Sequence, residues 1–266
     1  MLTAVRGLVI RTVNVGEKDK ILTLFTEENG LMSVYASGSR VVKSKLLAAA
    51  DLFCFADYVL YGKGERYSVR EAELIESFYG LRTDLVKTAL GNYVIDIARA
   101  VGTENQADVP FLRLVLNTLY AISLGKHSLW HIKAAFEARA AAVLGFCPDL
   151  SACGICGEEI GGEELLLEVM DGNLICAKCK KEMQNSFMPV EEEGHRSVLC
   201  ILTPGVLAAW HYVTECSLEK ILSFRLENPT DKRLWIRSTE EFLLNHLDRG
   251  FISLDFYKQV ADKEPQ

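Results

Sequence analysis

Four cysteines near the middle of the chain constrain its folding more than any other feature. Cys153-Gly154-Ile155-Cys156 and Cys176-Ala177-Lys178-Cys179 make two C-x2-C pairs separated by residues 157–175. Thiolates two residues apart face one side of a tight turn, and two such knuckles close a tetrahedral S4 shell suited to zinc. Any fold must therefore bring four sulfurs to one point. Asp171-Gly172, between the apolar stretches Glu164–Met170 and Asn173–Ile175, predicts the hairpin that does so. Four thiolates leave no coordination position for water, so the expected metal is structural, one Zn2+ per chain. A module of about forty residues has too little core of its own and draws folding energy from its ion. The remaining cysteines, Cys54, Cys147, Cys200 and Cys216, are scattered, and Cys147 is expected to be a small core residue.

The first eighty residues have the pattern of β-structure. Apolar stretches recur at Val5–Ile10, Ile21–Phe25, Leu31–Ala36, Phe53–Tyr61 and Tyr67–Leu74. Asn29-Gly30 and Gly62-Lys63-Gly64 supply reversals between neighbours. Five short strands with tight turns suit a small closed barrel, because closure removes aggregation-prone edges. An oligonucleotide-binding (OB) barrel is the leading candidate and an SH3-like barrel the alternative. After Gly80 the period changes to three and four. Leu81, Leu85, Val86, Ala89, Leu90, Tyr93, Val94 and Ile97 mark one helix, and Asp108 with Pro110 opens a second. A third runs from Ser128 to Leu144, stopped by Gly145 and Pro148. Further helices are expected at Thr203-Pro204, at Ser217 and over about Asp231–Leu247. Glu191-Glu192-Glu193 has the character of a solvated linker. The expected architecture is α+β and multidomain. A five-stranded barrel over 1–80 precedes a mainly helical domain over 81–266, with a four-cysteine zinc module inserted at 148–190.

The 266 residues carry 36 acidic and 29 basic side chains, a net charge of −7, and 49% are hydrophobic. Disorder is excluded by that apolar share. No apolar run is long enough to span a bilayer, and Arg6 and Arg11 interrupt the N-terminal apolar stretch, against a signal peptide. A cytoplasmic protein follows. GxGxxG, GxxxxGK[ST] and GxSxG are all absent. His127 and His131 are spaced i, i+4 without the glutamate of HExxH, and the acids form no credible catalytic pair. No catalytic residues are assigned; a hydrolase or transferase would need an unrecognised site.

The basic residues say more. Residues 1–70 hold ten Lys/Arg against seven Asp/Glu, although the chain as a whole is acidic. Arg40, Lys43 and Lys45 fall within six residues, with no acid between Gly30 and Asp51. Lys18, Lys20, Lys63, Arg66 and Arg70 lie elsewhere in the β region, with Tyr35, Phe53, Phe55, Tyr61 and Tyr67 interleaved. Cations that follow phosphates and aromatic faces that stack on bases are what single-strand binding requires.

Several segments together resemble the bacterial recombination mediator family RecO. Ser39-Arg40-Val41-Val42-Lys43-Ser44-Lys45-Leu46 is similar to the family's R-x-x-K-S-x-L loop, and Arg70–Ile75 to the run closing its OB domain. Phe136-Glu137-Ala138-Arg139, Leu144–Leu150 and Cys153–Gly157 resemble the segment entering its zinc module, and Ser253-Leu254 also fits. Leu52 stands where the family usually has Pro.

The resemblance implies a non-enzymatic mediator of RecF-type repair, cytoplasmic and nucleoid-associated, with no membrane partner. Such a protein binds single- and double-stranded DNA and anneals complementary strands. It holds the acidic C-terminal tail of single-stranded DNA-binding protein (SSB), and with RecR, often alongside RecF, assists RecA loading on SSB-coated strands. Carried onto this chain, Arg40, Lys43 and Lys45 contact phosphate; Lys63, Arg66 and Arg70, from the basic pattern of the β region, are expected as further DNA contacts. Cys153, Cys156, Cys176 and Cys179 hold zinc, and Lys133 and Arg139 are candidates for the SSB tail. The alternative is a zinc-ribbon protein–protein adaptor without direct DNA contact.

Overall fold

The computed structural model describes residues 1–63, 66–160, 162–185 and 198–262. The chain divides into two compact units, Met1–Lys126 with Phe251–Gln266, and His127–Gly250.

In the first unit, β1 (Leu2–Val15), β2 (Asp19–Thr26), β3 (Gly30–Ala36), β4 (Phe55–Lys63) and β5 (Arg66–Glu76) close a barrel in the order β1-β2-β3-β5-β4. All pairings are antiparallel except β3 with β5, which run parallel and share only Val34↔Tyr67 and Tyr35↔Ser68. That short seam is where closure is weakest. Val5, Val9, Leu22, Leu24, Val34 and Leu60 fill the interior, and Leu46, Ala49 and Ala50 from the β3–β4 connection join them. The expected strands are present, β1 lengthened to fourteen residues with a register shift between Val9 and Arg11, while the fourth starts only at Phe55 because Phe53 turns the chain at φ 67°. The Asn29-Gly30 reversal forms with only Gly30 at positive φ (62°). A Cβ there would lie 2.2 Å from the carbonyl oxygens of Thr103 and Gln106, so glycine is required twice over.

After a 3-10 turn at Tyr79–Thr83, α1 (Leu85–Val101) and α2 (Val109–Leu124) follow. Asp84 caps α1 through the N–H groups of Val86 and Lys87, and Asp108 caps α2 through Phe111. The barrel leans on this pair: the Phe25 ring lies 6.3 Å from that of Phe111.

The second unit begins with α3 (Leu129–Leu144), ended by Gly145 at φ 87°. A three-stranded sheet in the order β7-β6-β8 is made by β6 (Leu165–Glu168), β7 (Asn173–Ile175) and β8 (Leu199–Leu202), with α4 (Ala177–Asn185) after β7. Helices α5 (Pro204–Glu215) and α6 (Pro229–His246) complete it. Trp210, Trp235 and Phe242 pack with Ala134, Ala135, Ala138 and Ala141, the small residues admitting bulky aromatic neighbours. Finally α7 (Ile252–Ala261) returns to the first unit and packs on α1.

Two expectations are corrected here. At Ser217 only a 3-10 turn forms (Leu218–Lys220), not a helix. Leu222, Phe224 and Leu226 are half-buried against the core while Ser223, Arg225 and Glu227 are exposed, which is the alternation of an extended chain. Cys147 is exposed rather than a core residue, because it follows the Gly145 cap that ends α3. Glu191–Glu193 and Gly64 fall outside the described residues. Among the described residues, no helix is long and apolar enough to cross a membrane.

Candidate nucleic-acid interface and metal centre

A groove of about 670 Å³ lies over the short seam between β3 and β5 on the barrel surface. Ile21, Ser33, Tyr35, Tyr61, Tyr67 and Ser68 line it, with Arg66 and Arg70 at its edge. The pleat sorts the set: Tyr35, Tyr61 and Ser68 share a register on the outer face, whereas Tyr67 pairs with the buried Val34 and packs partly on the core at the seam. Tyr35 and Tyr61 are 36% and 38% exposed, so their rings are available for contact. The Arg70 guanidinium sits 4.9 Å from the centre of the Tyr61 ring, a cation–π arrangement that leaves its charge in the groove.

The basic loop after β3 clasps the turn between β1 and β2. The Arg40 main-chain N–H donates to the Lys18 carbonyl (2.9 Å), and its guanidinium to the Gly16 carbonyl (2.9 Å). Arg40, Lys43 and Lys45 are all exposed. None of the ion pairs among the described residues involves them, Arg66 or Arg70. Lys20 differs from its neighbours: its ammonium lies 2.6 Å from Asp51 and also donates to the Ala50 carbonyl. The side chain of Lys63 lies outside the described residues. Of the aromatics singled out in the sequence, Phe53 is buried and Phe55 half-buried; Tyr35 and Tyr61 face the groove, and Tyr67 lines it while packing partly on the core.

Charge is segregated on the barrel. A second groove, of about 410 Å³, is lined by Glu27, Glu28, Asp57, Glu71 and Glu73. Its one cation, Arg6, makes a two-pronged pair with Asp57 at 2.7 and 2.9 Å. That pairing holds the Asp57 carboxyl below its ordinary range.

In the second unit the four cysteines of the two knuckles converge. Their sulfurs lie within 4.8 Å of one another, with Cys156 Sγ 3.8 Å from Cys176 Sγ. A tetrahedral ion about 2.3 Å from each sulfur sets them about 3.8 Å apart, so the set could hold one metal ion. The first knuckle is a turn closed by Gly157 N–H donating to the Cys153 carbonyl (2.8 Å), with Gly157 at φ 72°. Gly154 N–H donates to the Leu174 carbonyl (2.8 Å), tying that knuckle to β7. The second knuckle opens α4, where Cys179 N–H points at Cys176 Sγ (3.5 Å). Burial alone would raise the Cys153 thiol. The N–H groups of Cys156, Cys176 and Ile155 overcome it and bring the thiol down to about 6. Burial and the neighbouring thiols push Cys179 up. Four thiols at one point cannot all ionise without a cation to hold them. Among the described residues, no other group of His, Cys, Asp or Glu converges in this way.

Lys133 does not offer charge at the surface, contrary to expectation. It is 2% exposed, and its ammonium lies 2.8 Å from both Glu137 and Glu240. Arg139 is half-buried and donates to the carbonyls of Val213 and Thr214 at the end of α5. Six residues apart, the two point to different sides of α3. His127 and His131 place their rings 6.0 Å apart, and His131 is buried beside Phe224.

Comparison with known families and proteins agrees with this architecture. Residues 1–78 match the family model "Recombination protein O N terminal", and residues 82–255 match "Recombination protein O C terminal". The chain is 30% identical to a DNA repair protein RecO of Acetivibrio thermocellus, over 96% of this chain and 95% of that one. It is 27% identical to a DNA repair protein RecO of Alkaliphilus metalliredigens, over 98% and 100% of the two chains. The chain belongs to the RecO family of DNA repair proteins.

Proposed function

We propose that this chain is a non-enzymatic, cytoplasmic recombination mediator that binds DNA through its barrel, residues 1–80. The observation carrying this reading is the groove at the β3–β5 seam, where three tyrosines and two arginines meet without a carboxylate partner for either cation among the described residues. Aromatic faces accept any base, and cations follow the phosphates, so binding is tolerant of sequence and sensitive to salt. Arg40, Lys43 and Lys45 on the adjoining loop extend the cationic surface along the strand. Single strands use the stacking groove. Duplex DNA, whose bases are already paired and stacked, is held by the cations.

Annealing follows from the same surface. Two complementary strands repel one another, and a cationic face that displaces their counterions lowers the cost of bringing them together. Acting at SSB-coated gaps with RecR, the protein then helps RecA to load. Of its partners, the acidic SSB tail requires exposed cations beside apolar surface in the helical part, residues 81–266; Lys133 and Arg139 are committed internally and do not serve. Zinc is the ion we assign to Cys153, Cys156, Cys176 and Cys179. All four positions are filled by protein, so the ion folds the 148–190 module and does no chemistry on substrate.

Fluorescence anisotropy with a labelled oligo-dT tests the groove. Changing both Arg66 and Arg70 to Ala, and separately Tyr35 to Ala, is expected to weaken single-strand binding, by about tenfold for the tyrosine. Unchanged affinity in both would favour an adaptor that reaches DNA only through partner proteins.

A further inference from the structure

Asp19, the first residue of β2, is an anion on a cationic face. Lys18 precedes it and Arg40 lies on the loop opposite. Electrostatics alone would count Asp19 as a liability for binding a polyanion. Its contacts give it another use. Oδ1 accepts the Gly38 N–H at 2.7 Å and the Ser37 hydroxyl at 3.4 Å, while Oδ2 accepts the Tyr35 hydroxyl. One carboxylate thus joins a ring of the groove to the backbone two residues before Arg40. With the Arg40 contacts to Lys18 and Gly16, it closes a ring of hydrogen bonds between two turns that β-pairing leaves free. The Gly38 N–H and then the Tyr35 hydroxyl hold the Asp19 carboxyl below its ordinary range, so it stays ionised. Gly38 adopts φ 66°, which puts its N–H in reach of the carboxylate and turns the chain into the basic loop.

We propose that Asp19 is a positioning residue for nucleic-acid binding, an anion that strengthens the hold on a polyanion by fixing Tyr35 and the 37–40 turn that carries Arg40. The proposal rests on the barrel being the DNA surface. A flexible loop must be ordered when it binds, whereas one already ordered avoids that entropy. The gain exceeds the repulsion because the carboxylate is occupied by donors on both oxygens.

Oligo-dT anisotropy, repeated across a salt series, tests it with the full-length protein. Asp19→Ala is expected to weaken binding about fivefold, the worth of roughly one ordinary hydrogen bond. It should also flatten the log K against log salt slope by about 0.7, as one phosphate contact is lost. Asp19→Asn keeps an acceptor for Gly38 and a polar partner for Tyr35, and should bind at least as well as the wild type. If Asp19→Ala and Asp19→Asn bind equally tightly and better than the wild type, Asp19 acts only as a charge and the proposal is overturned. Should Asp19→Ala fail to fold, Asp19→Glu replaces it. That variant keeps the charge and displaces the carboxylate by one methylene. Positioning predicts the same loss, and wild-type binding overturns the proposal. The Arg40, Lys43 and Lys45 triple alanine variant separates the two layers. Weakened triple-variant binding with an unaffected Asp19→Ala sinks this inference alone; an unaffected triple variant together with an unaffected Arg66, Arg70 double variant sinks the DNA surface and this inference with it.

Discussion

Lys133 Nζ lies 2.8 Å from Glu137 Oε1, one turn along α3, in an interior where Glu137 is fully buried. Glu240 on α6 stands at the same distance from that ammonium, and the Thr239 hydroxyl donates to Glu137 at 3.0 Å. A buried charge is tolerable only when paired, and here the pairing also fixes how α3 meets α6. Removing the cation takes the counter-charge from two carboxylates. Lys133→Met is expected to cost about 3 kcal/mol in urea unfolding, and Lys133→Met with Glu137→Leu to recover part of it. Affinity of the folded variant for oligo-dT should match the wild type; a Lys133→Met protein as stable as the wild type would contradict this account of the α3–α6 contact.

The metal ligands make a separate prediction. Cys176→Ser removes one of four sulfurs that otherwise meet within 4.8 Å. Metal analysis of the purified wild type should give one zinc per chain, and of the variant close to none. Thermal melting of the variant should fall with it, because ion binding and folding of the module are one equilibrium. DNA affinity should change much less. Stable protein without metal would count against a structural ion.

Acid should weaken the second unit through His131. Burial is the main reason its pKa lies below the ordinary 6.5, the nearby His127 adding to the effect and the Leu222 carbonyl opposing it. With the folded value below the unfolded one, the unfolded chain binds more protons between the two, so stability rises with pH there. It is therefore lost as pH falls from about 6.5 toward the folded value. Chemical unfolding between pH 7.5 and pH 5 should show that slope, and His131→Gln should reduce it. An identical slope in both proteins would remove His131 as its source.

Gly30→Ala probes the turn that joins β2 to β3. A methyl group there meets two carbonyl oxygens at 2.2 Å, and the backbone is already at φ 62°. The cost should be about 3 kcal/mol or more, well above the cost of an ordinary surface substitution. Gly16→Ala is the control: φ is 56°, but nothing lies within 4 Å of the added carbon, so only the backbone term remains.

Much of this architecture is legible in the sequence, where one period dominates. The barrel strands show as apolar stretches between turns, α2 carries its cap at Asp108, and the two C-x2-C pairs announce a single centre; α1 starts later than its period suggests, at Leu85 after Asp84, with Leu81 in the preceding 3-10 turn. Signals that depend on distant partners are not. Lys133 has the look of an exposed cation until α6 brings Glu240 to it. The stretch after Ser217 is extended because alternate residues from Leu222 to Leu226 pack on the core, a period of two hidden behind a good helix start. The groove is half visible: interleaved tyrosines and arginines suggest it, yet only the β3–β5 and β4–β5 registers decide that Tyr35 and Tyr61 share the outer face while Tyr67 turns partly to the core. Asp19 gives no signal at all, since a lone acid beside lysines is ordinary until its donors at 35 and 38 are seen.

The most direct test of the account is the salt dependence of single-strand binding in the triple variant Arg40→Ala, Lys43→Ala, Lys45→Ala. Three lost phosphate contacts should flatten the log K against log salt slope by about 2, with weaker binding at every salt concentration. A slope indistinguishable from the wild type, in a protein that melts at the same temperature, would place the DNA surface away from this loop and contradict the central claim.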